Sequence, residues 1–299
     1  MSPSVERVCY NRRRLDSVAA QAIRDNFNER LKHLRDRLAT IEGIRAMPDE
    51  SGVRIGGAKQ TRGVVLFADM VKSTRLAARY ADAPEKMLAT LNLVIPTLMD
   101  VVRYYRGEFE KNTGDGILAY FGVGTTTDED AVALALDAAV GMMEAVRDLT
   151  NQVLQASELE TVQISIGADL GNFLVARIGL QHYESPIVAV GAVANRAAKI
   201  QGSSNPSEMR VGEEFHNALS KESRRLFKLV DPPRPWVFQV PKTRHEIEAE
   251  RYWAERDAEP KAAEDQLRYG FLPRVLLPPI TPFISPKRNY RVYASKQRW

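Results

Sequence analysis

The six residues Gly63-Val-Val-Leu-Phe-Ala68 form an apolar run that stops at a carboxylate, Asp69. A run this short and this apolar suits a strand buried on both faces. The charge that follows then belongs at the end of that strand, at the rim of a sheet. From Pro84 to about Tyr105 apolar residues recur at helical spacing. Two strand-like runs come next, Gly107–Lys111 and Gly116–Phe121, around the turn Asn112-Thr113-Gly114-Asp115. Asp128-Glu129-Asp130 opens a second helix to about Leu154, its acids placed where the helix dipole favours them. Val162–Asp169 and Phe173–Ile178 read as a strand pair around Gly171-Asn172. Ile187–Val190 and Glu208–Gly212 read as strands, with a short helix at Ala192–Gln201 between them. A final strand pair is expected at Leu226–Val230 and Trp236–Val240. The order β-α-β-β-α-β with additions predicts an α+β fold, ferredoxin-like, with helices on one face of an antiparallel sheet.

The flanks differ. Residues 15–47 carry apolar side chains at three- and four-residue steps and read as an amphipathic helix, followed by a linker at 48–62. Ser73 and Thr74 offer hydroxyls to cap a helix after Asp69. Beyond Pro241 come a charged helix, about Glu246–Tyr269, and an extended stretch with Pro273, Pro278, Pro279, Pro282 and Pro286. That stretch reads as a polyproline-like strap. The expected division is 1–61, 62–240 and 241–299.

Charge follows the same division. The net formal charge is +4, yet residues 63–240 carry 22 acidic and 17 basic side chains. The basic excess lies in the flanks, which suits docking on an acidic core better than a nucleic-acid surface. Cys9 is the only cysteine, which excludes a disulfide framework and a Cys-ligated metal cluster, and favours a reducing, cytoplasmic setting. No apolar run follows Arg12–Arg14, so no secretory signal is expected, and no membrane span either.

Asp69 ends the first strand and Asp115 sits in the turn of the hairpin. In this topology the first strand lies beside the hairpin, so the two carboxylates meet at one rim. Like charges placed together repel. A hard divalent cation such as Mg²⁺ or Mn²⁺ removes that repulsion and takes substrate phosphates as further ligands. The backbone amides from Val71 through Lys72 and Ser73 to Thr74 precede a helix and form a natural phosphate cradle.

With these motifs in place, residues 62 to 240 resemble the catalytic domain of class III nucleotide cyclases. Asp69 and Asp115 match that family's two metal-binding carboxylates, and the backbone carbonyl of Met70 joins them. Val190-Gly191-Ala-Val-Ala-Asn195-Arg-Ala-Ala-Lys199 resembles the family's segment whose Asn orients the ribose and whose Arg stabilises the transition state. Asn195 fits, and Lys199 stands where Arg is usual, supplying charge without a bidentate fork. Arg234 lies near the family's triphosphate-binding Lys. The resemblance implies two Mg²⁺ or Mn²⁺ ions per site and a head-to-tail homodimer with composite sites. It also implies conversion of a nucleoside triphosphate to a 3′,5′-cyclic nucleotide and pyrophosphate.

The family reads its base at two positions, here Lys111 and Val188. Lys111 matches adenylate cyclases, whereas Val188 has no polar side-chain atom, so the purine code is half missing. In this the chain resembles the stand-alone pyrimidine cyclases of bacterial Pycsar anti-phage systems, whose product acts on a separate cyclic-nucleotide-binding effector. UTP is expected over CTP, because a Lys donor suits a carbonyl acceptor, with Phe67 or Tyr120 helping to close the pocket. The alternatives are an adenylate cyclase and a degenerate, nucleotide-binding regulatory domain. An RNA-binding domain would need exposed aromatics on the central strands, where the sequence instead reads as core.

Overall fold

In a computed structural model, residues 42–43, 48, 52–124, 127–180, 185–252 and 287–298 are described. The founding apolar run is the middle of a long strand, β2 (Ala58–Met70), preceded by the two-residue strand β1 (Glu42–Gly43). Two helices follow, α1 (Ser73–Arg79) and α2 (Pro84–Tyr104), then the hairpin β3 (Glu108–Asn112) and β4 (Gly116–Phe121). α3 (Asp128–Ala145) runs through a single wide turn, Val146–Thr150, into α4 (Asn151–Ala156). Thr127 caps α3, its hydroxyl accepting from the Asp130 amide at 3.0 Å. Next come β5 (Ile164–Arg177), β6 (Ile187–Val190), α5 (Ala192–Gln201) and β7 (Met209–Gly212). The chain continues through α6 (Glu213–Ala218), α7 (Lys221–Arg224), β8 (Phe227–Val230), β9 (Gln239–Pro241), β10 (Lys287–Asn289) and β11 (Val292–Ser295).

The main sheet runs β3-β4-β2-β5-β7-β11-β8, with β1 on β2 and β6 on β5. Its first four strands are antiparallel neighbours, in the expected ferredoxin-like order. The alternation along each strand divides its side chains between two faces. Val64, Leu66, Ala68 and Met70 of β2 join Ile117, Ala119 and Phe121 of β4 in the larger core, under α2 and α3. Val65 joins Leu118, Tyr120, Phe173 and Val175 in a second cluster closed by Val193, Ala194 and Ala197 of α5. Each fully buried Leu or Ile here contributes roughly 1.5–3 kcal/mol. The sheet is therefore covered on both faces, not on one.

Several boundaries move. Gly171-Asn172 is no turn: β5 is one continuous strand that pairs with β2 from Met70↔Ile164 to Ala58↔Ala176. Gly171 lies opposite Gly63, where a Cβ on Gly63 would come within 2.8 Å of the Phe121 carbonyl oxygen. This long pairing draws Ala58–Arg62 out of the expected linker and into β2. Of the helix expected at 15–47, most lies outside the described residues, but Glu42–Gly43 is strand, parallel to Lys59–Gln60. The expected pair Leu226–Val230 with Trp236–Val240 does not form. β8 pairs with β11, and β9 pairs with β10. The charged helix begins at residue 244, with Thr243 and Glu246 forming a reciprocal cap. The proline-rich stretch lies outside the described residues. Beyond it, β11 enters the sheet between β7 and β8.

Among the described residues one helix, α2, is long and apolar enough, by length and composition alone, to cross a membrane. In the fold, its Val94, Ile95, Leu98 and Val102 are buried in the larger core.

Candidate active site

The register of β2 with β4 places Asp69 directly opposite Gly116, the residue after Asp115. The Met70 amide donates to the Asp115 carbonyl at 3.1 Å and fixes the hairpin turn against the strand end. The approach is close enough to require glycine. A Cβ at Gly116 would lie 2.3 Å from both Asp69 Oδ1 and the Ala68 carbonyl oxygen. The turn itself is held by Asn112, whose side-chain oxygen accepts from the Gly114 amide at 2.7 Å. The sequence expectation that Asp69 and Asp115 meet at one rim is thus met by the backbone.

Asp69 is half-buried. Burial, the neighbouring Asp115 charge and a hydrogen bond to its carboxyl push Asp69 up to about 6. Two hard oxygen donors side by side, with Asp69 made costly to ionise by burial and by the Asp115 charge, fit a divalent cation, which would hold both as carboxylates. Among the described residues no group of three or more His, Cys, Asp or Glu side chains could hold a metal ion. The pair would therefore need a backbone oxygen, such as the Met70 carbonyl, and phosphate or water to complete a shell.

The segment after Asp69 departs from expectation in two places. The Val71 amide donates to the Gln163 carbonyl at 2.8 Å, which leaves it outside any phosphate cradle. Ser73 and Thr74 are not the cap. Lys72 takes that place in a left-handed conformation (φ 60°), and no side chain caps the helix. Ser73 and Thr74 are instead the first residues of α1, where amides have no intrahelical acceptor. Lys72 and Thr74 are exposed.

α5 presents Asn195 and Lys199 four residues apart on its exposed face, while Val193, Ala194, Ala197 and Ile200 are buried. Between them Arg196 turns inward and pairs with Asp169, a carboxylate on β5 with 0% exposure. Tyr290, in the segment after β10, donates its hydroxyl to Asp169 Oδ1 at 2.9 Å. The same hydroxyl accepts from the Glu214 amide at 2.7 Å. The Arg196 guanidinium lies 4.4 Å from the centre of the Tyr290 ring. This network locks α5 to β5 from beneath. Sequence reasoning missed it, because Asp169 reads as the end of a strand beside a turn, whereas it lies inside the continuous β5, and Tyr290 lies beyond a stretch that reads as a strap.

Lys111 is exposed on β3 and Val188 is half-buried on β6. A residue that sequence reasoning passed over links them. Glu110 accepts from the Ala189 amide at 3.0 Å through Oε2, and its Oε1 lies 3.0 Å from Lys111 Nζ. Tyr120 is 1% exposed and stacks on Phe173 at 5.2 Å, so it belongs to the cluster under α5 rather than to an open pocket. Arg234 lies in the exposed segment between β8 and β9. Among the described residues no hydrogen bond or ion pair ties it to Asp69, Asp115 or α5. Nor does one join Asn195 or Lys199 to the carboxylate pair.

Residues 58–232 match the adenylate and guanylate cyclase catalytic domain. The chain belongs to that family. A cytidylate cyclase from Staphylococcus aureus is 26% identical over 157 residues, covering 52% of this chain and 36% of that protein. A cytidylate cyclase from Escherichia coli is 25% identical over 171 residues, covering 56% of this chain and 37% of that protein. The match thus spans little more than a third of either relative. The crystal structure of the adenylyl cyclase CyaB from P. aeruginosa superposes with a TM-score of 0.55 at 15% identity, covering 80% of this chain and 96% of that one. That likeness shows the class III cyclase fold.

Proposed function

We propose that this cyclase domain converts a nucleoside triphosphate to a 3′,5′-cyclic nucleotide and pyrophosphate. The observation that carries the reading is the fixed contact between strand end and hairpin turn that sets Asp69 beside Asp115. The ribose 3′-oxygen attacks the α-phosphorus, the bond from that phosphorus to the bridging oxygen breaks, and the 3′-hydroxyl proton passes to solvent. Two Mg²⁺ or Mn²⁺ ions held by Asp69, Asp115 and the Met70 carbonyl would supply charge neutralisation at the attacking and leaving oxygens. Asn195 orients the ribose, and Lys199 places a cation against the charge that builds at phosphorus. Lys72, Ser73 and Thr74 receive phosphate oxygens at the start of α1, and Arg234 is carried as a further triphosphate contact.

A head-to-tail homodimer, in which one subunit supplies the carboxylates and the other supplies Asn195 and Lys199, agrees with the finding that, among the described residues, no hydrogen bond or ion pair joins these groups within one chain. The base is proposed to be a pyrimidine. Val188 offers no side-chain polar atom to a purine, and Lys111 offers a donor to the uracil carbonyl, which favours cyclic UMP. The cytidylate cyclase relatives favour a second reading, cyclic CMP. In either case the product is proposed to act in the cytoplasm as a second messenger in anti-phage defence, on a separate effector.

Purified protein is incubated with each of the four triphosphates and Mn²⁺ or Mg²⁺, and products are resolved by mass. One pyrimidine cyclic nucleotide is expected to dominate. Mainly cyclic AMP would overturn the base assignment. No product under either metal would favour a nucleotide-binding regulatory domain. Asp69→Asn and Asp115→Asn should each abolish turnover while the dimer persists.

A further inference from the structure

The hairpin contains an irregularity that the paired carboxylates do not use. Phe109 pairs with Ala119, and the next pairing is Lys111 with Leu118, so Glu110 is an extra residue bulged out of the ladder. A bulge of this kind re-aims the side chain it carries. Here it turns Glu110 inward: the side chain is 2% exposed, against 47% for the adjoining Lys111. A buried carboxylate is costly unless its partners compensate. Glu110 has two, the Ala189 amide on β6 and the Lys111 ammonium on its own strand. The ammonium contact is an ion pair without hydrogen-bond alignment, since Oε1 has no hydrogen-bond partner.

We propose that Glu110 is a positioning residue of the base site, fixing both the Lys111 ammonium and the strand that carries Val188, and thereby setting base selectivity. This rests on the reading of Lys111 and Val188 as the base-facing positions. Of the three ammonium donors of Lys111, one side is turned to Glu110, and the exposed remainder faces a ligand. Its charge is also balanced. A lone ammonium would attract any triphosphate as a point charge, whereas a compensated one acts as a hydrogen-bond donor to a neutral carbonyl edge, as on a pyrimidine. The Ala189 contact holds Val188 at a set height beside that donor.

The test uses the full chain with Mn²⁺ and the four 3′-deoxynucleoside triphosphates, which bind but lack the attacking oxygen. Glu110→Gln keeps the acceptor for the Ala189 amide and removes the charge. The wild type is expected to favour a pyrimidine by about tenfold, in the range that a matched polar group supplies. Glu110→Gln should bring the four affinities within about threefold of one another, the limit left once a charge-assisted contact is removed. Glu110→Ala, which also removes the charge, is read the same way if Glu110→Gln does not fold, whereas Glu110→Asp, which retains the charge on a shorter stem, should keep part of the preference. Unchanged affinity ratios once the charge is removed, or equal binding of all four by the wild type, would overturn the proposal. Turnover of ordinary triphosphates by the wild type is measured separately. Selective binding without any cyclic product would sink the cyclase reading and leave the role of Glu110 standing.

Discussion

Tyr290 donates its hydroxyl to the carboxylate of Asp169, a residue 121 positions earlier in the chain. Both are almost without exposure, at 2% and 0%. The contact makes a segment beyond residue 240 part of the support beneath α5, the helix that carries Asn195 and Lys199.

Tyr290→Phe is expected to lower stability. The ring still packs on Arg196, but Asp169 loses one donor and the Glu214 amide loses its acceptor. Leaving buried polar groups short of partners costs about 1–3 kcal/mol. For a chain of this size that is a fall in melting temperature of roughly 2–10 °C. Thermal unfolding followed by circular dichroism checks it. An unchanged melting temperature would show that solvent replaces the hydroxyl.

Asp169 also sets a pH dependence. Burial outweighs the Arg196 pair and the Tyr290 and Leu170 hydrogen bonds, and its carboxyl is raised to about 6. The folded state therefore binds a proton that the unfolded chain has released above about pH 4. The stability this group contributes is present below about pH 4 and is lost as pH rises through about 6. Asp169→Asn cannot ionise, so its stability relative to wild type should improve between pH 4 and pH 7, by on the order of 2 kcal/mol. Denaturant unfolding across that range measures the difference. A deficit that grows with pH would mean that the ion pair with Arg196 outweighs burial.

Lys199→Ala is expected to lower kcat by at least about a hundredfold, the loss typical when a group that stabilises developing charge is removed. KM for the triphosphate should change little. Lys199→Arg should retain most turnover or raise it, since the exposed face of α5 leaves room for the longer planar group. Steady-state kinetics separate the two parameters. Equal loss in both variants would indicate that the shape of Lys199, rather than its charge, matters.

Local rules made much of this molecule readable. The apolar run before Asp69, the acidic opening of α3 and the turn Asn112–Asp115 each carry their structure within a few residues, and all three fall where the pattern puts them. The meeting of Asp69 with Asp115 was legible because β-α-β-β order fixes which strand end faces which turn. What escaped depends on distant pairing. Gly171-Asn172 has turn chemistry locally, but thirteen residues of β2 hold it extended. Val292–Ser295 has nothing in its own sequence to say that it belongs between β7 and β8. Glu110 was hidden for a related reason, since a bulge is a mismatch between two strands and neither strand shows it alone.

The place of β11 also bears on how the chain is made. Among the described residues β8 has no strand partner except β11, and more than 60 residues separate them along the chain. At about 5–20 residues per second, a ribosome needs roughly 3–12 s to deliver that partner. Through that interval β7 and β8 are both present with open ladders, the kind of edge that pairs with neighbouring chains. Nascent copies on one messenger would stand closest to one another in that window, which adds a hazard of mispairing during synthesis to the outer edges of β3 and β8 that, among the described residues, stay open in the finished sheet.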